Sequence, residues 1–180
     1  MSPQQDRTPR TAAARGVTTG LYTPDERRRR DASVWTLVQG ILAPVQFLVF
    51  LVSLGLVLRY LATGQGLEVA TASVVVKTLV LYTIMVTGAI WEKDVFGVWL
   101  FAPAFYWEDV FSMLVLALHT AYLVAVFTGA LGPRGQLLLA LVAYATYVIN
   151  AGQFILKLRA ARLQQAAEAG RRGTPAGSAA

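Results

Sequence analysis

The segment VWTLVQGILAPVQFLVFLVSLGLVL, residues 34–58, contains no acidic or basic side chain. Three further segments are almost as free of charge: residues 69–91, interrupted only by Lys77, residues 110–133, interrupted only by His119, and residues 135–156. Each segment exceeds the roughly 20 apolar residues that an α-helix needs to cross about 30 Å of hydrocarbon. The sequence therefore predicts four transmembrane helices.

The composition of the whole chain agrees with a membrane protein. Hydrophobic residues make up 56% of the 180 residues and charged residues only 14%, whereas a soluble domain has about 25% charged residues. A soluble helical bundle would also show a polar face on each helix. The chain has no cysteine, which excludes disulfides, thiolate metal sites and iron–sulfur clusters. We predict an all-α integral membrane protein, a four-transmembrane-helix bundle.

The positive charge lies at the two ends of the chain. The net charge is +6, and of the 16 Lys and Arg residues, seven precede residue 34 and five follow residue 156. Basic residues that flank membrane spans stay on the cytoplasmic side. With an even number of spans, this distribution predicts that the N- and C-termini are both cytoplasmic. It argues against nucleic acid as a partner and favours contact between the tails and anionic lipid.

The chain divides into four predicted parts. Residues 1–20 form a disordered tail, and residues 21–33 form a cytoplasmic surface helix, because Thr23, Pro24 and Glu26 have the spacing of a capping box. Residues 34–169 form the four-helix membrane domain with a helical extension stopped by Gly170, and residues 170–180 form a second disordered tail. The predicted spans cover residues 34–60, kinked at Pro44, then 69–91, 107–127 and 136–158.

The connection between spans two and three is nearly as apolar as the spans. It contains Phe96, Trp99, Phe101, Phe105 and Tyr106, between Trp91 and Trp107. One interpretation is an aromatic belt at the membrane interface. The other is a lid over a large, flat, apolar ligand, in which Trp99, Phe105, Tyr106 and Trp107 bind the substrate.

Four carboxyl groups flank this aromatic connection. Glu92 and Asp94 close span two, and Glu108 and Asp109 open span three, in the similar phrases WEKDVF and WEDVF. If these groups gather in a partly dry place they cannot all ionise, and one is expected to keep its proton beside an ionised neighbour. That arrangement provides a general acid and a general base. The alternative is that they mark the boundary and stabilise a helix N-terminus.

Two ionisable side chains lie deeper. Lys77 and His119 are each about eight residues from the outer ends of their spans, which places them at similar depth in antiparallel helices. Lys77 would bind a ligand carboxylate or extend towards the interface, and His119 would ligate a metal, move protons or bond a neighbouring helix. Spans one and four add four amide side chains that join helices or line a cavity: Gln39, Gln46, Asn150 and Gln153.

Four long phrases resemble the 3-vinyl bacteriochlorophyllide hydratase family of photosynthetic bacteria: LYTPDERRRRDASVWTLVQGILAPVQFLVFLVSLGLVLRYLATG (21–64), VVVKTLVLYTIMVTGAIWEKDVFG (74–97), LFAPAFYWEDVFSMLVLALHTAYL (100–123) and ATYVINAGQFILKLRAARL (145–163). The resemblance implies addition of water to the vinyl group of a chlorophyllide, giving a 1-hydroxyethyl group. It implies no redox cofactor, a bacterial inner membrane and contact with other enzymes of pigment biosynthesis. The substrate would be a flat tetrapyrrole with a carboxylate and a central magnesium.

The residues suggest how such a reaction would proceed. Glu108 or Glu92 would protonate the terminal vinyl carbon, with Asp109 or Asp94 as partner, and a carboxylate or His119 would take a proton from the attacking water. His119 is also a candidate ligand of the substrate magnesium, and Lys77 or an interfacial arginine a candidate for the carboxylate. Two other functions stay open: a non-catalytic pigment-binding or assembly protein, and a small transporter, which should show internal symmetry.

Overall fold

The computed structural model describes residues 21–173, which form five α-helices: α1 Pro24–Ala32, α2 Val34–Thr63, α3 Leu67–Phe96, α4 Tyr106–Thr128 and α5 Pro133–Gly173. The predicted tail 1–20 lies outside the described residues, as do residues 174–180 of the other tail.

The short helix α1 begins with the capping box that the sequence predicts. The Glu26 N–H donates to Thr23 Oγ1 at 3.3 Å, and the Thr23 N–H donates to the Glu26 carboxylate at 2.7 Å. These bonds satisfy two of the backbone donors that a helix start leaves free. Ser33 then separates α1 from α2 and accepts the Trp35 N–H, so that the basic helix is fixed directly to the start of the first span.

Helices α2 to α5 are each long and apolar enough to cross a membrane. The 30 residues of α2 extend for about 45 Å, more than the thickness of the hydrocarbon layer. Large apolar side chains such as Leu48, Val52, Val86 and Phe127 point away from the bundle, as expected of surfaces that face lipid. The predicted all-α fold with four such helices is confirmed, whereas the cytoplasmic position of both ends stays a prediction from the charge distribution.

The four long helices pack as two hairpins, α2 with α3 and α4 with α5. Gly64 ends α2 with a φ of 71°, a left-handed conformation that glycine adopts without steric cost. The hairpins meet in a core of aromatic and aliphatic side chains, where Phe50 of α2 packs edge-on against Tyr144 of α5, with ring centroids 5.3 Å apart. The core thus joins the first span to the last.

Helices α3 and α5 extend furthest beyond their predicted ends. Span two was expected to end at Trp91, but α3 continues to Phe96 and ends at Gly97, which has a φ of 82°. Glu92 and Asp94 therefore belong to a helix and are held at fixed angles around its axis. Helix α5 continues through Gly170 to Gly173, because one glycine costs a helix only about 1 kcal/mol.

Candidate active site

Two carboxyl groups meet where α3 ends and α4 begins. Glu92 and Asp109 are both 4% exposed, and their carboxyl groups are close enough to act on each other electrostatically. The Ala102 N–H donates to Glu92 Oε2 at 3.1 Å, and the Phe101 N–H donates to Asp109 Oδ2 at 2.9 Å. We call Glu92 and Asp109 the acid pair. Two successive backbone amides of the connection therefore hold the acid pair in place.

Two negative charges on neighbouring buried carboxyl groups repel each other strongly. An ionised carboxylate only accepts hydrogen bonds, so two carboxyl groups bond to each other only when one of them carries a hydrogen. The two backbone N–H groups supply the donors that the remaining oxygens need. A pair that holds one proton would combine an acid with a negative charge, which are the two forms that an acid–base reaction uses.

The connection itself is held in an unusual conformation at Phe101. This residue has a φ of 61°, in the left-handed region that a bulky side chain rarely occupies and that costs about 1–3 kcal/mol. The bond from the Phe101 N–H to Asp109 helps to maintain the conformation. Strained backbone of this kind is concentrated at functional sites.

A third carboxyl group, Glu108, lies beside the acid pair and is bound by a lysine. Lys157 Nζ of α5 is 2.5 Å from Glu108 Oε2 and 5.1 Å from the centroid of the Phe105 ring. The charge of Glu108 acts on Asp109, as does that of Lys157. The sequence analysis assigned no site role to Lys157, which it counted among the basic residues of the tail.

The fourth predicted carboxyl group, Asp94, does not join the others. It is exposed, and its carboxylate accepts a hydrogen bond from the Ser33 hydroxyl. Two residues along an α-helix correspond to a rotation of about 200°, so Asp94 and Glu92 project from different sides of α3. The predicted gathering of four carboxyl groups is therefore wrong for Asp94 and holds for Glu92, Glu108 and Asp109.

The aromatic residues of the connection divide into a buried group and an exposed group. Phe105 is 2% exposed and packs against Trp91, Phe96 and Phe154 with centroid distances of 5.7–5.9 Å. Tyr22, before α1, completes this cluster by stacking on Phe96 at 5.8 Å. Burial raises the pKa of the Tyr22 hydroxyl above its ordinary value, and the guanidinium of Arg30 acts in the opposite direction.

Three other predicted substrate-binding residues lie at the surface. The exposed fractions are 61% for Trp99, 48% for Tyr106 and 67% for Trp107. Tyr106 contacts both neighbouring rings, Phe101 at 5.7 Å and Trp107 at 5.6 Å. An exposed row of aromatic rings suits either the membrane interface or the face of a flat apolar ligand.

A cavity of about 400 Å³ opens beside the Glu108–Lys157 pair. Its walls come from α1 and the segment before it, from the end of α3, from the connection and from α5. Its lining residues are Leu21, Glu26, Phe96, Pro103, Ala104 and Lys157. Ligand sites commonly have volumes of about 300–1,000 Å³ and mostly apolar walls with a few polar groups. This cavity has that character.

Lys77 and His119 form a second buried set within the bundle. Both side chains are 0% exposed, and the two are close enough for the charge of Lys77 to act on His119, as their predicted depths suggested. Lys77 Nζ lies 3.9 Å from the centroid of Tyr147, so the lysine does not extend to the interface. His119 is ten residues from Asp109 on α4, or about 15 Å along the axis.

One nitrogen of His119 is bound and the other is not. His119 Nδ1 is 2.8 Å from the Val115 carbonyl oxygen. Since a carbonyl only accepts, Nδ1 carries the hydrogen, and Nε2 carries a lone pair when the ring is neutral. No three His, Cys, Asp or Glu side chains within residues 21–173 are grouped to hold a metal ion.

Comparisons with known proteins agree over most of the chain. The family model described as 2-vinyl bacteriochlorophyllide hydratase (BCHF) matches residues 22–160. A 2-vinyl bacteriochlorophyllide hydratase of Cereibacter sphaeroides is 71% identical over 148 residues, covering 82% of this chain and 91% of the relative. A protein of the same name from Rhodobacter capsulatus is 70% identical over 148 residues, covering 82% and 86%. No solved structure matches.

Proposed function

The chain belongs to the 2-vinyl bacteriochlorophyllide hydratase family, and from this membership we propose that it adds water to the vinyl group of a bacteriochlorophyllide-type tetrapyrrole, with the acid pair as proton donor and acceptor. The burial of Glu92 and Asp109 side by side, each held by a backbone N–H of the connection, is the observation that supports this mechanism. The number 2 in this family name and the number 3 in the name used in the sequence analysis label the same vinyl-bearing position in two numbering conventions.

The reaction begins with transfer of the shared proton to the terminal carbon of the vinyl group. The double bond supplies the electron pair for the new C–H bond, and the positive charge develops on the carbon attached to the macrocycle, which delocalises it. The acid pair is then left with two negative charges beside that cation, an arrangement that stabilises the developing charge. The proton donor thus becomes an electrostatic partner of the intermediate.

Water completes the reaction. Its oxygen bonds to the cationic carbon, and the acid pair accepts the proton that the water releases. The product is a 1-hydroxyethyl group, and the acid pair regains its starting protonation. No step changes an oxidation state of the enzyme, so the scheme calls for no redox cofactor.

The cavity beside Lys157 is the proposed seat for the edge of the macrocycle. Its apolar wall includes Phe96 and Ala104, and the exposed rings of Trp99, Tyr106 and Trp107 offer a flat surface nearby in sequence. Lys157 is a better candidate for the substrate carboxylate than Lys77, because Lys157 lines the cavity and Lys77 is sealed inside the bundle. The ammonium has three N–H donors, so it can bind Glu108 and a ligand together.

The roles of three predicted site residues change under this proposal. Asp94 contacts Ser33 and is assigned no chemical step. His119 lies about 15 Å from Asp109 along α4, beyond direct proton transfer to the vinyl group, so neither the water proton nor the substrate magnesium is assigned to it. Glu108 is assigned to hold Lys157 rather than to donate the proton.

The proposed location is the inner membrane of a photosynthetic bacterium, as a multi-pass protein with both ends cytoplasmic. The acid pair would then lie near the cytoplasmic interface, where a tetrapyrrole can pass between this protein and other enzymes of pigment synthesis. The basic side chains before α2, Arg27 to Arg30, would face anionic lipid on that side.

The test is expression in a bacterial host that makes no bacteriochlorophyll, with a vinyl-bearing chlorophyllide supplied to its membranes. The proposal predicts a pigment heavier by one water molecule, detected by mass spectrometry, and no such pigment from membranes that carry Glu92→Gln. A non-catalytic pigment-binding protein, which the exposed aromatic rings would also suit, would retain the pigment and return it unchanged.

A further inference from the structure

Buried polar side chains extend from the acid pair into the bundle. Ser112 is three residues after Asp109 on α4, and its hydroxyl accepts a hydrogen bond from Asn150 Nδ2 of α5 at 2.8 Å. Towards the cytoplasmic side of Asn150, α5 carries Gln153 and then Lys157, which binds Glu108. Spacings of three or four residues keep these side chains on one face of each helix. The facing surfaces of α4 and α5 are therefore polar near the acid pair.

The polar surface continues to the middle of the membrane. His119 lies seven residues beyond Ser112, on the same face of α4. Lys77 of α3 contacts Tyr147 of α5, one turn from Tyr144, whose ring lies 5.8 Å from that of His119. Gln46 of α2 reaches the same region. Phe50 of α2 packs on Tyr147 of α5, and Gln46 lies one helical turn before Phe50. Because α2 and α5 are antiparallel, Gln46 is level with the turn after Tyr147, which contains Asn150. We call the set Gln46, Lys77, His119, Asn150 and Gln153 the polar file.

Every member of the polar file has a buried polar atom with no hydrogen-bond partner among residues 21–173. These atoms are Gln46 Oε1 and Nε2, Lys77 Nζ, His119 Nε2, Asn150 Oδ1 and Gln153 Oε1. Four of the five residues are at most 8% exposed, namely Gln46, Lys77, His119 and Asn150. An unpaired buried polar group costs about 1–3 kcal/mol, so a series of them through one bundle indicates polar ligands.

The mixture of donors and acceptors identifies the ligand. Lys77 and the Gln46 amide nitrogen offer N–H groups, whereas His119 Nε2 and the oxygens of Asn150 and Gln153 offer lone pairs. An anion would satisfy only the donors and would face the lone pairs unfavourably. Water donates and accepts, and it commonly makes about three hydrogen bonds to buried polar groups.

We propose that the polar file binds water and delivers the molecule that adds to the vinyl cation. The inference rests on the proposed function. A flat apolar substrate in the cavity would lie beside Lys157, and the polar file approaches the acid pair from inside the bundle, through Ser112. The reaction consumes one water molecule per turnover, and the polar file holds the next one within the bundle.

The fate of the cation reports on this supply. After the acid pair protonates the terminal carbon, the cation either gains water and becomes the alcohol, or loses a proton from that carbon and returns to the vinyl group. In D2O the acid pair transfers a deuteron to the terminal carbon. A cation that then loses a proton returns to vinyl-bearing substrate with deuterium on that carbon. The ratio of exchange to hydration therefore measures how quickly water reaches the cation, independently of the amount of active protein.

The experiment compares Gln46→Met and Asn150→Ala with Gln39→Leu as the matched control. Gln39 lies on the same helix face as Gln46, but its amide already donates to Thr87 at 2.8 Å. Purified proteins in lipid are incubated with vinyl-bearing chlorophyllide in D2O, and substrate and product are analysed by mass spectrometry. Both variants of the polar file should raise the ratio at least about tenfold, which corresponds to about 1.4 kcal/mol, and the control should not.

Two results would overturn the inference: an unchanged ratio in both variants of the polar file, or an equal rise in Gln39→Leu. If one variant fails to fold, the ratio in the other decides. Wild-type protein that produces neither exchange nor alcohol would instead contradict the proposed function, so the two failures are distinguishable.

Discussion

Replacing Glu92 by glutamine removes the acidic proton and preserves the shape of the site. In the native protein the Ala102 N–H donates to Glu92 Oε2 at 3.1 Å. The glutamine carbonyl can accept that N–H instead, and the glutamine NH2 group can donate to Asp109. The hydrogen bond from the Ala102 N–H to the native side chain therefore has a substitute, and the contact with Asp109 is kept. The protein should fold, with a change in the free energy of unfolding below about 1 kcal/mol.

The effect on the reaction should be much larger. An amide does not release a proton to carbon, and Asp109 alone would be ionised and unable to act as the acid. Loss of a general acid lowers a rate by about 10²–10⁴, which is about 3–5 kcal/mol in activation free energy. Glu92→Gln should thus fold with nearly the stability of the wild-type protein but catalyse the reaction much more slowly.

The assay is the initial rate of alcohol formation by purified protein in lipid, with thermal unfolding recorded on the same samples. Asp94→Asn is the control, because Asp94 contacts only Ser33 in the bonds described above and should react at the wild-type rate. A Glu92→Gln rate within tenfold of wild type, or a larger loss in Asp94→Asn, would refute the assignment of the acid pair.

Three other substitutions test separate parts of the structure. Lys157→Met leaves Glu108 buried without its partner, and thermal unfolding measures the cost. Because the Lys157 side chain is 27% exposed, we expect about 1–3 kcal/mol of destabilisation rather than the larger value for a fully buried pair. Lys77→Met removes a buried ammonium. Its contact with Tyr147 contributes only about 0.5–2 kcal/mol, less than the desolvation of the ammonium costs. The midpoint temperature of unfolding should therefore rise, and a fall would contradict this comparison of energies. Phe101→Gly relieves the positive φ and should stabilise the fold by about 1 kcal/mol, and a lower unfolding midpoint would show that the ring packing of Phe101 outweighs the strain.

Much of the fold follows from the sequence, because the membrane imposes long apolar segments and the capping box imposes the start of α1. The end of α3 was harder to predict. The charged residues after Trp91 suggested the end of a span, but charges at the interface are compatible with helix, and it is Gly97 that ends α3. The limit of the hydrocarbon and the limit of the helix are different boundaries.

The positions of the candidate site residues were predictable where they depend only on the geometry of a single helix. Glu108 and Asp109 begin a helix, and the two-residue spacing of Glu92 and Asp94 already separates their directions, a signal that the sequence analysis did not use. The Lys157 contact depends on the register between α4 and α5, which no local pattern fixes. The amides of Phe101 and Ala102 depend on the loop conformation, which the sequence of the connection does not determine.

The most direct test of the account is a single turnover by purified protein in D2O, without added cofactor, using vinyl-bearing chlorophyllide as substrate. The account predicts an alcohol whose terminal carbon carries one deuterium, formed by wild-type protein and at least about a hundredfold more slowly by Asp109→Asn. Pigment that binds and is recovered without water or deuterium, or an alcohol formed equally fast by Asp109→Asn, would contradict it.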